Sequence, residues 1–257
     1  MREDAAKTLL AAYDIPVVSE AAAASPEAAA RAAGAMGFPV VLKGLGERLL
    51  HKTERNLVHL NLGSADQVQA AARAVQASAG ADLEGLLVQR QVLGRRELAA
   101  GVIQDPQFGP VVMFGLGGVL TEALADVVFR VAPLTAADAA EMLDEIRSRA
   151  LLGPFRGEAA VNRGQAVAAL LGLSRLALER SDIREVDINP LIVTPRGELV
   201  AVDALVVTAP APAHAGSRRH PPDDPQLLGK LFQPRSVAFV GASATLGKWG
   251  HQLFTAV

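Results

Sequence analysis

The stretch REVDINPLIVTPRGELVAVDALVV, residues 184–207, places two apolar-rich runs on either side of Pro195-Arg196-Gly197. Proline followed two residues later by glycine marks a tight turn, with Gly197 free to take a positive φ. The runs therefore predict strands at 184–193 and 198–207 joined as a hairpin. A turn centred on Arg196 sets Asn189 opposite Asp203. Asp187 shares the parity of Asn189, so three oxygen-bearing side chains line one face while Val186 and Ile188 point to the other. Such a face suits Mg²⁺, which takes one or two protein oxygens and fills its other positions with water and nucleotide phosphates. A hairpin with a polar solvent face has the same pattern, and a bulge would shift the register by one residue. At this point Asn189 and Asp203 are candidate metal ligands with both readings open.

Working outward, 257 residues correspond to one domain plus something more. Half of the residues are hydrophobic but only 4% are aromatic, an Ala/Val/Leu-rich composition that fits a helix-containing α/β protein and excludes disorder over most of the chain. A net charge of −2 gives no bulk attraction to nucleic acid or to an anionic membrane, so neither is expected as a partner, and any bound phosphate must be caught locally. The absence of cysteine removes disulfides, thiolate metal sites and cysteine nucleophiles, and points to a reducing, cytoplasmic setting. The opening MREDAAKTLL is charged where a signal peptide is apolar, and no apolar run is long enough to span a bilayer.

Helices are expected at 3–13, from Ser25-Pro26-Glu27 to the glycines at 34 and 37, from Ser64 to about 79, and at 135–147 and 164–179. Strands are expected at 39–43, 57–62, 86–92, 97–103 and 110–114. In the second of these, alternation puts Val58, Leu60 and Leu62 on the buried face and His59 and Asn61 on the other. Five prolines (Pro210, Pro212, Pro221, Pro222 and Pro225) make 208–228 read as a linker. A strand then leads into Gly241-Ala242-Ser243, and the sequence stops at Val257 after one strand and one helix of an unfinished α/β unit.

Several further residues have the chemistry of a phosphate site. Lys43 ends an apolar strand before Gly44-Leu45-Gly46, and His51-Lys52 follow on the same loop, although no GxxxxGK[ST] pattern is present. Histidine as a residue type changes charge near neutrality, which suits His51 to phosphate contact or phosphoryl transfer; a surface histidine and a solvated lysine are the plainer readings. The cluster Gly115-Leu116-Gly117-Gly118, with Thr121 and Glu122 after it, fits either a backbone anion nest or a tight turn. Glu97 beside Arg95 and Arg96 reads as an edge charge pair.

In order, FPVVLKG (38–44), LLHKTE (49–54), ELAAGVIQDPQFGPVVMFGLGG (97–118), FRVAPLT (129–135), EVDINPLIV (185–193) and AVDALV (201–206) resemble the ATP-grasp part of the ADP-forming acyl-CoA synthetases, the acetate–CoA ligase family. The resemblance spans roughly residues 1–207, and LFQPRSVAFVGAS (231–243) is similar to the opening of that family's CoA-binding domain. It implies an α/β fold of two ATP-grasp lobes at 1–207, a linker at 208–228 and an incomplete Rossmann-like unit at 229–257. It also implies Mg²⁺ and ATP/ADP as cofactors, CoA in the complete enzyme, and an α-type CoA-ligase subunit or further C-terminal domains as partner.

By the same resemblance Lys43 contacts phosphates, Val88, Gln89 and Arg90 border the adenine, and Glu97 helps to hold the nucleotide. Asn189 and Asp203 match the Mg²⁺ ligands, His51 handles the phosphoryl group, and Glu122 lies near the reacting centre. The family reaction joins acid, CoA and ATP to give acyl-CoA, ADP and phosphate through a phosphohistidine. Paired glycines of the family pattern are replaced here by Asn56-Leu57. Two other readings are a non-catalytic ATP-sensing module, or remnant of a longer synthetase or acetyltransferase, and an oxidoreductase. The second is weak because Gly241, Gly247 and Gly250 do not follow G-x-G-x-x-G.

Overall fold

Ser25 accepts a hydrogen bond from the Ala28 amide at 3.2 Å with proline in the first turn, and Ser64 accepts from the Gln67 amide at 3.3 Å, so two helices start where sequence places their caps. These are α2 (Pro26–Met36) and α3 (Ala65–Ala79), preceded by α1 (Glu3–Ala11). The computed structural model of the chain describes residues 1–47, 49, 55–118 and 124–209. His51, Glu122, most of the linker and the whole of 229–257 lie outside the described residues.

The first sheet comprises β1 (Glu20–Ala23), β2 (Val40–Leu45), β3 (Val58–Leu62) and β4 (Gly85–Arg90), in the order β1-β4-β2-β3 and antiparallel throughout. Helices α2 and α3 supply Ala29, Ala33, Val68 and Val75 to a core with Val40, Leu42, Leu86 and Val88 of the strands. Small residues on α2 let that helix lie close to the sheet, and complete burial of each larger aliphatic chain contributes about 1.5–3 kcal/mol.

The second sheet runs β10-β8-β5-β6-β7, with β9 also paired to β8. Its strands are β5 (Arg96–Asp105), β6 (Gly109–Leu116), β7 (Val127–Val131), β8 (Ile183–Val193), β9 (Leu199–Ala201) and β10 (Leu205–Thr208). Helices α4 (Ala136–Glu145) and α5 (Arg163–Glu179) pack on it, α4 beginning with a capping box between Thr135 and Asp138. Although α1 precedes the first sheet in the chain, its Ala6 and Leu10 belong to the core of the second, beside Leu98, Val102 and Phe114. The first sheet is therefore inserted between the opening helix of the second lobe and the rest of it. Met1–Ala211 form one compact unit.

Four local expectations are corrected. Leu60 is 58% exposed, because Asn61 takes φ 58° and the β2–β3 register shifts there, which breaks the alternation beyond His59. The strand expected at 198–207 is two strands, interrupted at 202–204. Lys43 is not at a solvated strand end: β2 continues to Leu45 and Lys43 is 5% exposed. Arg96 is not an edge cation either. It is buried, with Nε 3.2 Å from Glu158 Oε2, Nη1 donating to the carbonyls of Leu151 and Gly153 and Nη2 to that of Ala159. Strands β1 and β7 had no counterpart among the expected elements, being short and, in β1, mostly alanine.

Two predictions follow from these buried charges. Arg96→Met leaves Glu158 and three carbonyls without their cation and should cost about 3–5 kcal/mol of unfolding free energy; a loss under about 1 kcal/mol in urea denaturation at unchanged m-value contradicts it. Asp126, buried beyond β6, opposes its own desolvation by accepting hydrogen bonds from the Ser148 hydroxyl and from the amides of Arg147 and Ser148, and its carboxyl lies below the usual range. A carboxyl lowered by folding stabilises above its unfolded pKa of about 3.9 and loses that contribution as pH falls through the folded value. Asp126→Asn should therefore lower the melting temperature at pH 7 and narrow its gap to the parent as pH falls towards 3. A gap independent of pH is the contrary result.

Candidate functional site

The hairpin of residues 184–207 has the predicted register on both sides of its interruption. Leu191 pairs with Ala201 towards the turn and Asp187 with Leu205 beyond it, so Asn189 and Asp203 occupy opposing positions in the unladdered segment. Gly197 takes φ 85° at the turn, as its position requires. Along the other edge of β8 the register to β5 shifts between Leu98 and Ala100, a bulge at Asn189-Pro190. Val186 and Ile188 before it and Leu191 and Val193 after it all reach the core, because the extra residue reverses the parity.

Asn189 Oδ1 accepts a hydrogen bond from the Gly118 amide at 2.8 Å, which ties β8 to the end of β6. Gly118 has φ 68°, and a Cβ there would stand 1.8 Å from Glu97 Oε2. Glu97, Gly118 and Asn189 thus converge at one point, and the glycine is required by both its dihedral and the carboxylate beside it. Its neighbours Gly115 and Gly117 are hemmed by the carbonyls of Asp126 and Leu98, so close backbone packing accounts for much of the glycine cluster.

Across from this point lies Lys43 of β2. Its Nζ is 2.7 Å from Glu3 Oε1, 2.8 Å from the Val202 carbonyl and 3.6 Å from Asp203 Oδ2. Burial pushes the Lys43 ammonium down, but the charges of Asp203 and Glu3 and the Glu3 hydrogen bond outweigh it and hold it above the ordinary lysine value. Glu3 Oε1 also takes Lys7 Nζ at 2.7 Å and Gln89 Nε2 at 3.1 Å, while Lys7 and Gln89 each reach Glu20 Oε2, at 2.5 and 2.8 Å. Two lysines and two glutamates balance within this cluster, and Asp203 stands at its more exposed edge.

Asp187, on the same face as Asn189, is pushed above the usual carboxyl range by burial and by the charges of Glu185 and Asp203. Negative charge is concentrated on this face, and a cation would relieve it. Among the described residues no group of three or more His, Cys, Asp or Glu is arranged as a metal site. One carboxylate and one amide oxygen fit Mg²⁺ better than Zn²⁺, because Mg²⁺ keeps most positions for water and phosphate.

The segment read as bordering the adenine is divided by the strand period. The Val88 side chain is fully buried in the first core, Gln89 is 2% exposed in the charged cluster, and Arg90 is exposed. Asn56 takes φ 55°, a left-handed conformation that asparagine tolerates better than most residues. Glu3, Lys7 and Glu20 went unrecognised in the sequence. A glutamate and lysine four apart at a helix start are the usual sign of a solvated pair, and only tertiary packing buries them.

The chain matches the ATP-grasp domain family over residues 1–208. It is 39% identical over 210 residues to the β subunit of ADP-forming acetate–CoA ligase I from Pyrococcus furiosus, covering 80% of this chain and 90% of that one. It is also 39% identical over 251 residues to ADP-forming acetate–CoA ligase II of Archaeoglobus fulgidus, covering 98% of this chain but 36% of that protein. Among solved structures, the acetyl-coenzyme A synthetase 1 of Ca. Korarchaeum cryptofilum in complex with coenzyme A and Ca-AMPCP superposes with a TM-score of 0.78 at 39% identity, over 81% of this chain and 93% of that one. The same protein with coenzyme A and Mg-AMPPCP, its phosphohistidine segment pointing towards the nucleotide binding site, gives 0.71 at 38% identity over 80% and 92% of the two chains. The chain belongs to the ATP-grasp domain family, in the group formed by the β subunits and equivalent portions of ADP-forming acyl-CoA ligases.

Proposed function

We propose that this chain binds Mg²⁺-ATP between its two sheets and supplies the nucleotide half of the reaction acid + CoA + ATP = acyl-CoA + ADP + phosphate. The observation that carries the reading is the meeting of Lys43 from the first sheet with Asp203 from the second, 3.6 Å apart, on the face that also holds Asn189. Lys43 presents a fixed positive charge to the phosphates, and Asn189 Oδ1 and the Asp203 carboxylate are the ligands for Mg²⁺. Bound Mg²⁺-ATP supplies the phosphoryl group and the cation that screens its charge. Glu97 holds the nucleotide beside Gly118. Val88 offers only its backbone to the adenine edge, since its side chain is in the core, whereas Arg90 is exposed there.

His51 and Glu122, which lie outside the described residues, take the phosphoryl-handling and reacting-centre roles that the family pattern gives them. The acyl and CoA steps are assigned to an α-type subunit or further domains, a reading supported by the chain's coverage of only 36% of the single-chain ligase it matches over 98% of its own length. That longer match also supports residues 229–257 as the start of a CoA-binding unit. No helix among the described residues is long and apolar enough to cross a membrane.

Calorimetric titration with ATP, with and without Mg²⁺, tests the metal assignment. Asn189→Ala and Asp203→Ala should each reduce Mg²⁺-dependent ATP affinity by about tenfold or more, since each removes a direct or charge-assisted contact. Unchanged affinity in both removes these residues from the metal site. Gly118→Ala places a methyl against the Glu97 carboxylate in a left-handed backbone, and it should lower ATP affinity by about tenfold while the melting temperature moves only a few degrees. Parent-like affinity shows that Glu97 and Gly118 need not hold their present arrangement for binding.

A further inference from the structure

We infer that Glu3, at the start of α1, is a positioning residue for Lys43 and that Lys7 is its buried counter-charge. The inference rests on the reading of Lys43 as a phosphate-binding lysine and adds the device that keeps it aimed. An ammonium group has three protons; Lys43 donates hydrogen bonds to Glu3 Oε1 and the Val202 carbonyl at 2.7 and 2.8 Å, while Asp203 Oδ2 at 3.6 Å is an ion-pair contact beyond hydrogen-bond distance. Two contacts are short and made to groups fixed in the interior, whereas the third is long and ends on a carboxylate whose side chain is 43% exposed.

The short pair sets the position of the nitrogen, and the long contact is the one free to exchange. With a divalent cation held by Asp203, Lys43 would keep its two short contacts and would have its third proton available for a phosphate oxygen without displacement of Nζ. Glu3 does this only while ionised and in place. Lys7, 1% exposed and 2.5 Å from Glu20, balances the charge, and Gln89 donates to both glutamates. A buried charged cluster adds little net stability compared with apolar residues of the same volume, so stability alone does not account for its presence. Aiming one lysine explains it.

The test is the ratio of ATP to AMP affinity in Mg²⁺, measured by calorimetry on the whole chain for the parent, Glu3→Gln, Lys43→Met and the double variant. The expected result is a drop of about tenfold in that ratio for Glu3→Gln, a similar or larger drop for Lys43→Met, and a further change below about twofold when Glu3→Gln is added to Lys43→Met. A role confined to stability lowers the melting temperature and affects both nucleotides alike. If Lys43→Met lowers the ratio and Glu3→Gln does not, or if the two effects add, the positioning role of Glu3 is overturned. If Lys43→Met itself leaves the ratio unchanged, the phosphate assignment of Lys43 fails first. Should Glu3→Gln not fold, Glu3→Gln/Lys7→Met removes one charge of each sign and should show the same tenfold loss, with a parent-like ratio as the overturning outcome.

Discussion

A single carboxylate oxygen, Glu3 Oε1, accepts from Lys7, Lys43 and Gln89, and this shared acceptor joins the two sheets of the Met1–Ala211 unit. Glu3 and Lys7 belong to a helix whose apolar face is in the second core, while Lys43 and Gln89 project from the first sheet. The Val202 carbonyl, in the interruption between β9 and β10, accepts from both lysines. Removing these charges from water is costly unless each has partners, so the cluster constrains where the strands, the helix and the 202–204 segment sit at their junction. Here the seam between the sheets is polar and ordered, where a purely apolar seam would fix neither a lysine nor a carboxylate.

The second constraint is the arithmetic of the β8 strand. A bulge at Asn189-Pro190 reverses the parity of β8 against β5, while the register on its other edge is kept. The core stays filled on both sides of the bulge, and at the bulge itself Asn189 is released to meet the Gly118 amide. Bulges commonly re-aim a side chain near a site, and this one does so without moving Asp203 from its opposing position. In the proposed function this arrangement offers what a phosphoryl-handling site needs, a fixed cation on one side and oxygen atoms on the other.

The ATP-grasp assignment and this geometry bear on each other through particular residues. Similarity to acetate–CoA ligase β subunits extends over most of both chains, which fixes the fold, but it is silent on how each side chain is held in this sequence. Asn56 illustrates the difference: its left-handed backbone, with φ 55°, is a property of this chain that the degree of identity does not convey. Arg96 is another case, adjacent to Glu97 yet turned inward to gather the carbonyls of residues 151, 153 and 159 beneath the same strand.

Much of the architecture was already legible in the amino-acid sequence. Helix starts at Ser25, Ser64 and Thr135 were readable because caps are local chemistry, and the hairpin register was readable because the turn centred on Arg196 dictates pairing at short range. That is why Asn189 and Asp203 could be set opposite each other before any resemblance was considered. The sequence did not disclose that Lys43, Lys7, Glu3 and Arg96 are buried, since a charged residue in a local pattern reads as solvated until distant segments cover it. Nor could it locate the bulge that redirects Asn189 or the break at 202–204, for both arise where one strand serves two neighbours with different registers. Local sequence determined the elements and set one pair of oxygen-bearing side chains, Asn189 and Asp203, face to face; the tertiary structure alone decided which charges lost their water, because desolvation depends on packing between segments far apart in the chain.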